Sequence, residues 1–271
     1  MAHDRSSDAD AFPRAPTQEE WEGMSMEERE RVVESLPAEV TWAELAMPEG
    51  DLHSEGKRQA LEALRGYFKQ QRRRVYVGSE LPIYYPGERR FAPDLLVVLD
   101  VEAHLRGKWV VSHEGKGLDW VMEVHVGGDR KKDAEHNVRR YARLGIPEYF
   151  IYDRARERLE AYRLPSPEAR EYVRIEPRQG RYTSEVLGLE LQLEAAKLRF
   201  WAGNALLLES EELIDRLREM LEGVQRRVDE EAEQLAEEVR RREEEVRRRE
   251  EAERRLAELQ GELERLKARG E

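Results

Sequence analysis

The chain has no cysteine. That excludes a disulfide framework, a thiolate nucleophile and any cysteine-ligated zinc site. No apolar run approaches the length of a membrane span, and the first ten residues, Met1 to Asp10, lack the apolar core of a secretory signal. A cytoplasmic protein without membrane contact is the expectation. No aromatic stacking platform and no DNA-recognition helix stand out, so no base preference is legible. Charge, in contrast, is abundant: 39% of the 271 residues are charged and the formal net charge is −12. Such acidity argues against tight nonspecific DNA binding by the whole chain, though a local basic groove is compatible with it. Much of the charge lies beyond Glu209, and the remainder has an ordinary globular composition with enough apolar residues for a core.

Residues 1–50 read as an extension, partly disordered and partly helical. Thr17 with Glu20, and Ser25 with Glu28, each form a capping-box pattern, so two short helices are expected before Pro37. Another short helix is expected from Thr41. Over 56–70, Ala60, Leu61, Leu64, Tyr67 and Phe68 share one helical face. Strands are expected at 75–77, 81–85, 94–99, 109–111 and 119–126. Lys132 to Leu144 reads as a helix closed by Gly145. Strands at 149–152, 159–164 and 172–175 follow. The fold class is α/β (α+β), a mixed sheet flanked by helices.

From about Glu194 the sequence reads as helix to its end. Leu217, Leu221, Val224, Val228 and Leu235 keep coiled-coil spacing except at Glu231. Val239 and Val246, then Leu256, Leu259, Leu263 and Leu266, read as resuming it in a shifted register. Between them, Arg240 to Arg255 is almost wholly charged. Its Glu–Arg pairs four residues apart support a solvated helix at roughly 0.2–0.5 kcal/mol each. A homodimer through this helix is expected, with its orientation open.

Two segments carry the chemistry. Asp94 opens the apolar run Leu95 to Leu99, and Glu123 and His125 sit in the second half of the run from Trp120 to Val126. Carboxylates in buried strands need a partner, and two on neighbouring strands suit a hard divalent cation, which takes one or two carboxylates plus waters and phosphate oxygens. The basic run Arg130-Lys131-Lys132 follows directly. A metal site that cuts a phosphodiester is the reading: Asp94 and Glu123 as ligands, Glu55 as a third carboxylate beside His53, and Lys132, Lys131 or His125 as the cationic group. On a strand, Glu123 and His125 face one side and Val124 the other. Arg72, Arg73, Arg130 and Lys131 are candidate DNA phosphate contacts. A catalytically silent protein that acts as an interaction or scaffold module through its C-terminal helix is the competing reading.

Residues from Asp51 to Leu208 resemble the Uma-type restriction endonuclease family of the PD-(D/E)xK nuclease fold. The resemblance rests on Ala92-Pro93-Asp94, Val121-Met122-Glu123-Val124, Asp133, and above all Tyr141-Ala142-Arg143-Leu144-Gly145-Ile146-Pro147-Glu148-Tyr149-Phe150-Ile151-Tyr152-Asp153. It implies a four-stranded mixed sheet core flanked by helices, in a domain spanning 51–208 and followed by a charged helix over 209–271. It also implies Mg2+ (with Mn2+ as an alternative) at Asp94 and Glu123, DNA as substrate, and homodimers. The chain departs from the family pattern at three places. His125 takes the lysine position after the glutamate, Asn137 stands where a lysine often lies on the next helix, and Val126-Gly127-Gly128 replaces a serine-bearing segment.

Overall fold

Each early element follows from a local signal. The computed structural model describes residues 13–39, 50–127 and 131–269, with the backbone alone at 52, 131–134 and 266–269. The hydroxyls of Thr17 and Ser25 accept from the Glu20 and Glu28 N–H groups, and both glutamates reach back to their caps. These reciprocal bonds start α1 (Gln18–Gly23) and α2 (Met26–Ser35). The short helix expected from Thr41 begins outside the described residues. The next helix, α3 (Asp51–Gln70), buries Ala60, Leu64 and Phe68, the face expected from their spacing.

Strands β1 (Val75–Gly78), β2 (Ile83–Tyr84), β3 (Leu95–Leu99) and β4 (Trp109–Val110) come next, then a single helical turn, α4 (Val111–Glu114). The chain continues through β5 (Trp120–His125), α5 (Lys131–Arg143), β6 (Glu148–Asp153), β7 (Arg158–Arg163) and β8 (Val173–Arg174). The main sheet has the order β1-β3-β5-β6-β7-β8. All its neighbours are antiparallel except β5 and β6, which run parallel. A parallel pair needs a crossover, and α5 supplies it. The sheet is therefore wider than the four strands the resemblance implies.

Period two divides the strands between two cores. Leu95, Val97, Trp120, Met122 and Val124 pack with Ala60, Leu64 and Phe68 of α3. Leu96, Val98 and Val121 face the opposite side with Tyr141 of α5, Ile146 and Tyr149. Both faces are covered, so the strands read as continuous apolar runs. Val124 thus lies under a helix, as its alternation requires.

A second sheet follows, with strands β9 (Arg181–Ser184), β10 (Leu189–Glu194), β11 (Lys197–Ala202) and β12 (Ala205–Leu206) in the order β12-β11-β10-β9. This corrects the expectation of helix from Glu194. The hairpin between β10 and β11 turns on Ala195 and Ala196, both with positive φ (47° and 62°). Two-residue hairpin turns usually announce themselves with Asn or Gly. Two alanines, the best helix formers, conceal this one. Leu189, Leu191, Leu198 and Phe200 carry the sheet into the α3 core.

Helix begins only at α6 (Ser210–Arg269), 60 residues in one unbroken run. The chain divides into two compact units, Met1–Glu209 and Ser210–Glu271. Among the described residues no helix is long and apolar enough to cross a membrane.

Candidate active site

Antiparallel pairing of β3 with β5 sets Leu95 opposite Met122, which brings Asp94 to Glu123. The two residues are tied reciprocally. The Val124 N–H donates to Asp94 Oδ2 at 2.8 Å, and the Asp94 N–H points at Glu123 Oε2 at 3.4 Å. The Tyr141 hydroxyl, from α5, donates to Glu123 Oε1 at 2.7 Å. Glu123 is the one partly open side chain along β5; the strand's other residues are buried. Glu123 is thus a partly open position with buried neighbours on either side along the strand.

Helix α3 completes the site from the other side. His53 Nε2 lies 3.3 Å from Asp94 Oδ2, and Lys57 Nζ lies 3.6 Å from Asp94 Oδ1. Lys57 also pairs with Glu80. His53 and Lys57 are four residues apart and continue the buried stripe of Ala60, Leu64 and Phe68 toward the helix start. The stripe changes from apolar to polar where it passes the carboxylates. The sequence reading missed Lys57; the signal was this continuation of the face by a histidine and a lysine.

The two carboxyls have opposite proton affinities. Burial raises that of Asp94, but His53, the Val124 N–H and Lys57 outweigh it and hold the carboxyl below the usual carboxylate range. Burial first, and the charge of Asp94 second, push Glu123 well above that range, against the hydrogen bond from Tyr141. The Tyr141 hydroxyl is itself pushed well up by burial and by Glu123, so it stays a donor. A divalent cation beside the pair would offset the repulsion from Asp94, the second cause of that rise after burial. The donor set fits Mg2+ or Mn2+: two hard carboxylate donors on neighbouring strands, Glu123 partly open, with the Lys57 ammonium 3.6 Å from Asp94. Among the described residues no three His, Asp or Glu side chains stand close enough to hold a metal by themselves. Mg2+ does not require a third, because waters and phosphate oxygens complete its shell.

The structure brings some expected residues together and leaves others apart. Glu55 is not drawn to the pair: it points along another face of α3, where Gln59 donates to it at 3.3 Å. Two residues of helix turn a side chain by roughly 200°, which is why His53 reaches Asp94 and Glu55 turns elsewhere. His125 is buried at the end of β5 opposite Asp153, and its carbonyl accepts from the Arg154 N–H at 2.7 Å. Arg72 and Arg73 lie just past the far end of α3, whose last residue, Gln70, is about 25 Å along the helix axis from His53; Arg73 faces Asp100 at 3.8 Å. Arg130 lies outside the described residues, as do the side chains of Lys131 and Lys132. Arg154, unforeseen in the sequence, lies over Gly56 on the site end of α3, where a Cβ would stand 3.3 Å from its Cδ.

A family model described as "Putative restriction endonuclease" (Uma2) matches residues 41–197. One similar solved structure is a crystal structure titled as a putative nuclease belonging to DUF820 from Anabaena variabilis. It has 17% identity and a TM-score of 0.43, covering 56% of this chain and 82% of that one. No curated protein sequence matches.

Proposed function

The chain belongs to the Uma2 family, described as "Putative restriction endonuclease", and on that premise we propose that it is a divalent-metal-dependent endonuclease hydrolysing DNA phosphodiester bonds in the cytoplasm. The observation that carries this reading is the facing pair Asp94 and Glu123, locked by each other's strand and backed by a lysine. Mg2+ or Mn2+ at the pair supplies a water of lowered pKa and positive charge against the phosphate oxygens. Asp94 and Glu123 are the ligands. Tyr141 fixes the rotamer of Glu123 by its hydrogen bond. His53 holds Asp94 ionised from behind. Lys57 takes the cationic role, orienting the attacking water and stabilising the charge that builds on phosphorus oxygens. Lys132 and His125 are the alternative holders of that role.

Phosphate contact falls to Arg130 and Lys131, which follow β5 in sequence, and to Arg154 beside α3. A duplex lying along α3 rises about 3.4 Å per base pair, so Arg72 and Arg73 would meet it some eight pairs from the site. We read α6 as a self-association element rather than part of the chemistry.

Purified protein is to be incubated with supercoiled and linear DNA and Mg2+ or Mn2+, beside Glu123→Ala, Lys57→Ala, Lys132→Ala and His125→Ala. Cutting that needs metal and disappears in Glu123→Ala is the expected result. Whichever lysine or histidine variant loses turnover while still binding metal locates the cation. A folded wild type that cuts nothing with either ion would instead favour a silent nuclease fold working through its helix.

A further inference from the structure

The apolar side chains of α6 are open. Leu217, Leu221, Val224, Val228, Leu256, Leu259 and Leu263 are between 47% and 69% exposed. They belong to one heptad frame, which runs from Ile214 to Leu263 in alternating steps of three and four without a break. The shifted register read around Val239 and Val246 is therefore not needed; both lie one position beside the seam. What interrupts the seam is charge: its middle carries Glu231, Leu235, Glu238, Arg242, Glu245 and Arg249.

We propose that α6 pairs with α6 of a second copy of this chain as an antiparallel coiled coil centred on Arg240. This deepens the self-association reading of α6 and does not depend on the nuclease assignment. In a parallel pair every seam residue faces its own copy. Glu231, Glu238 and Glu245 would each meet a glutamate, and Arg242 and Arg249 each an arginine. Reversing one helix about Arg240 sets Leu217 against Leu263, Leu221 against Leu259, Val224 against Leu256 and Val228 against Ala252. The same reversal sets Glu231 against Arg249 and Glu238 against Arg242. Only Leu235 with Glu245 is left mixed. Reversal also turns three-four steps into four-three steps, so each a position must meet a d position, and each of these pairs does.

One flank supports the centre. Val239 meets its own copy next to the axis and Ala232 meets Val246, so apolar side chains cover the charged layers. The opposite flank argues the other way: Arg227 comes beside Arg255, and Arg241 beside itself, whereas a parallel pair gains Arg248 with Glu253. Flanking pairs are solvated and contribute little. Like charges within the seam are partly desolvated, where repulsion is stronger. The seam therefore decides the orientation. Within each helix Arg242 already donates to Glu238 and Arg249 to Glu245, so Glu238 and Arg242 of the two copies close a four-membered charge ring. The two Ser210 residues then lie at opposite ends of a rod about 90 Å long.

The absence of cysteine makes the test clean. Full-length Arg216→Cys, spin-labelled at a position off the seam, is measured by pulsed dipolar spectroscopy alongside mass by light scattering. A dimer with labels about 70 Å apart is expected; a parallel pair gives about 20 Å. The double variant Glu231→Arg/Glu238→Arg should become monomeric while its far-UV spectrum stays helical. Adding Arg242→Glu/Arg249→Glu should restore the dimer, which only the antiparallel register allows. A dimer with close labels, or one not restored by the second exchange, overturns the orientation alone. A monomeric wild type overturns the self-association reading too, and neither outcome bears on DNA cleavage.

Discussion

Asp94 and Glu123 share a site yet hold their protons differently, and this sets a pH signature. Glu123 has a raised proton affinity in the fold, so the folded state binds more protons than the unfolded chain above the ordinary glutamate range. Stability of the metal-free protein therefore falls as pH rises from that range through the raised value of Glu123. Asp94 has the opposite sign: its contribution is present above the ordinary aspartate range and is lost as pH falls through its lowered value. We expect Glu123→Gln to flatten the decline on the alkaline side, with a residual slope from Glu148, which burial also raises. Urea unfolding across pH reads both. Mg2+ should flatten the wild-type decline in the same way, since it stabilises the ionised pair. Lys57→Ala should lower cleavage by roughly 100-fold or more while leaving Mn2+ binding in place, because Lys57 is no ligand. At this scale the facing of Asp94 and Glu123 was legible from carboxylates in buried runs. Lys57 was not, because it looks like an ordinary helix surface lysine until the apolar stripe is followed to its polar end.

Elements were legible where their signals were local. Both capping boxes sit where Thr17, Glu20, Ser25 and Glu28 place them. The β10–β11 hairpin was hidden because Ala195 and Ala196 adopt a left-handed backbone without Gly or Asn. Such residues carry roughly 1 kcal/mol of strain each. Ala196→Gly should therefore raise stability by about 1 kcal/mol in denaturant unfolding, an outcome opposite to that of a glycine placed in a helix. Glu148, within the most family-specific stretch, proves to be a tie between sheets. It is buried, accepts from the Ser184 hydroxyl and from the Glu185 N–H at 2.8 Å, and lies 3.5 Å from Arg163. Glu148→Ala strands these donors and should cost about 3 kcal/mol. That contact spans β6 and β9, elements far apart in sequence, so no local pattern announces it.

At the scale of the whole molecule, the candidate site and the open heptad of α6 lie in different units. Among the described residues, the two cores against the main sheet and a smaller cluster of Ala15, Leu36, Tyr84 and Val110 draw on none beyond Leu207. Ending the chain at Glu209 should leave thermal melting and metal binding of the first unit unchanged and abolish self-association. The division was visible in the sequence as a change from mixed to charged composition. The apolar spacing of α6 was legible as two segments in shifted registers; the single frame from Ile214 to Leu263, and the antiparallel pairing proposed for it, came only from following the charged middle. The claim on which the proposed chemistry depends is that Asp94 and Glu123 hold a divalent cation. Mn2+ binding to the folded protein near neutral pH, followed by electron paramagnetic resonance, tests it most directly beside Asp94→Asn and Glu123→Gln. The account predicts one ion per chain, weakened by about tenfold or more in either variant. A folded wild type that binds no Mn2+, or binding undiminished in both variants, would contradict it.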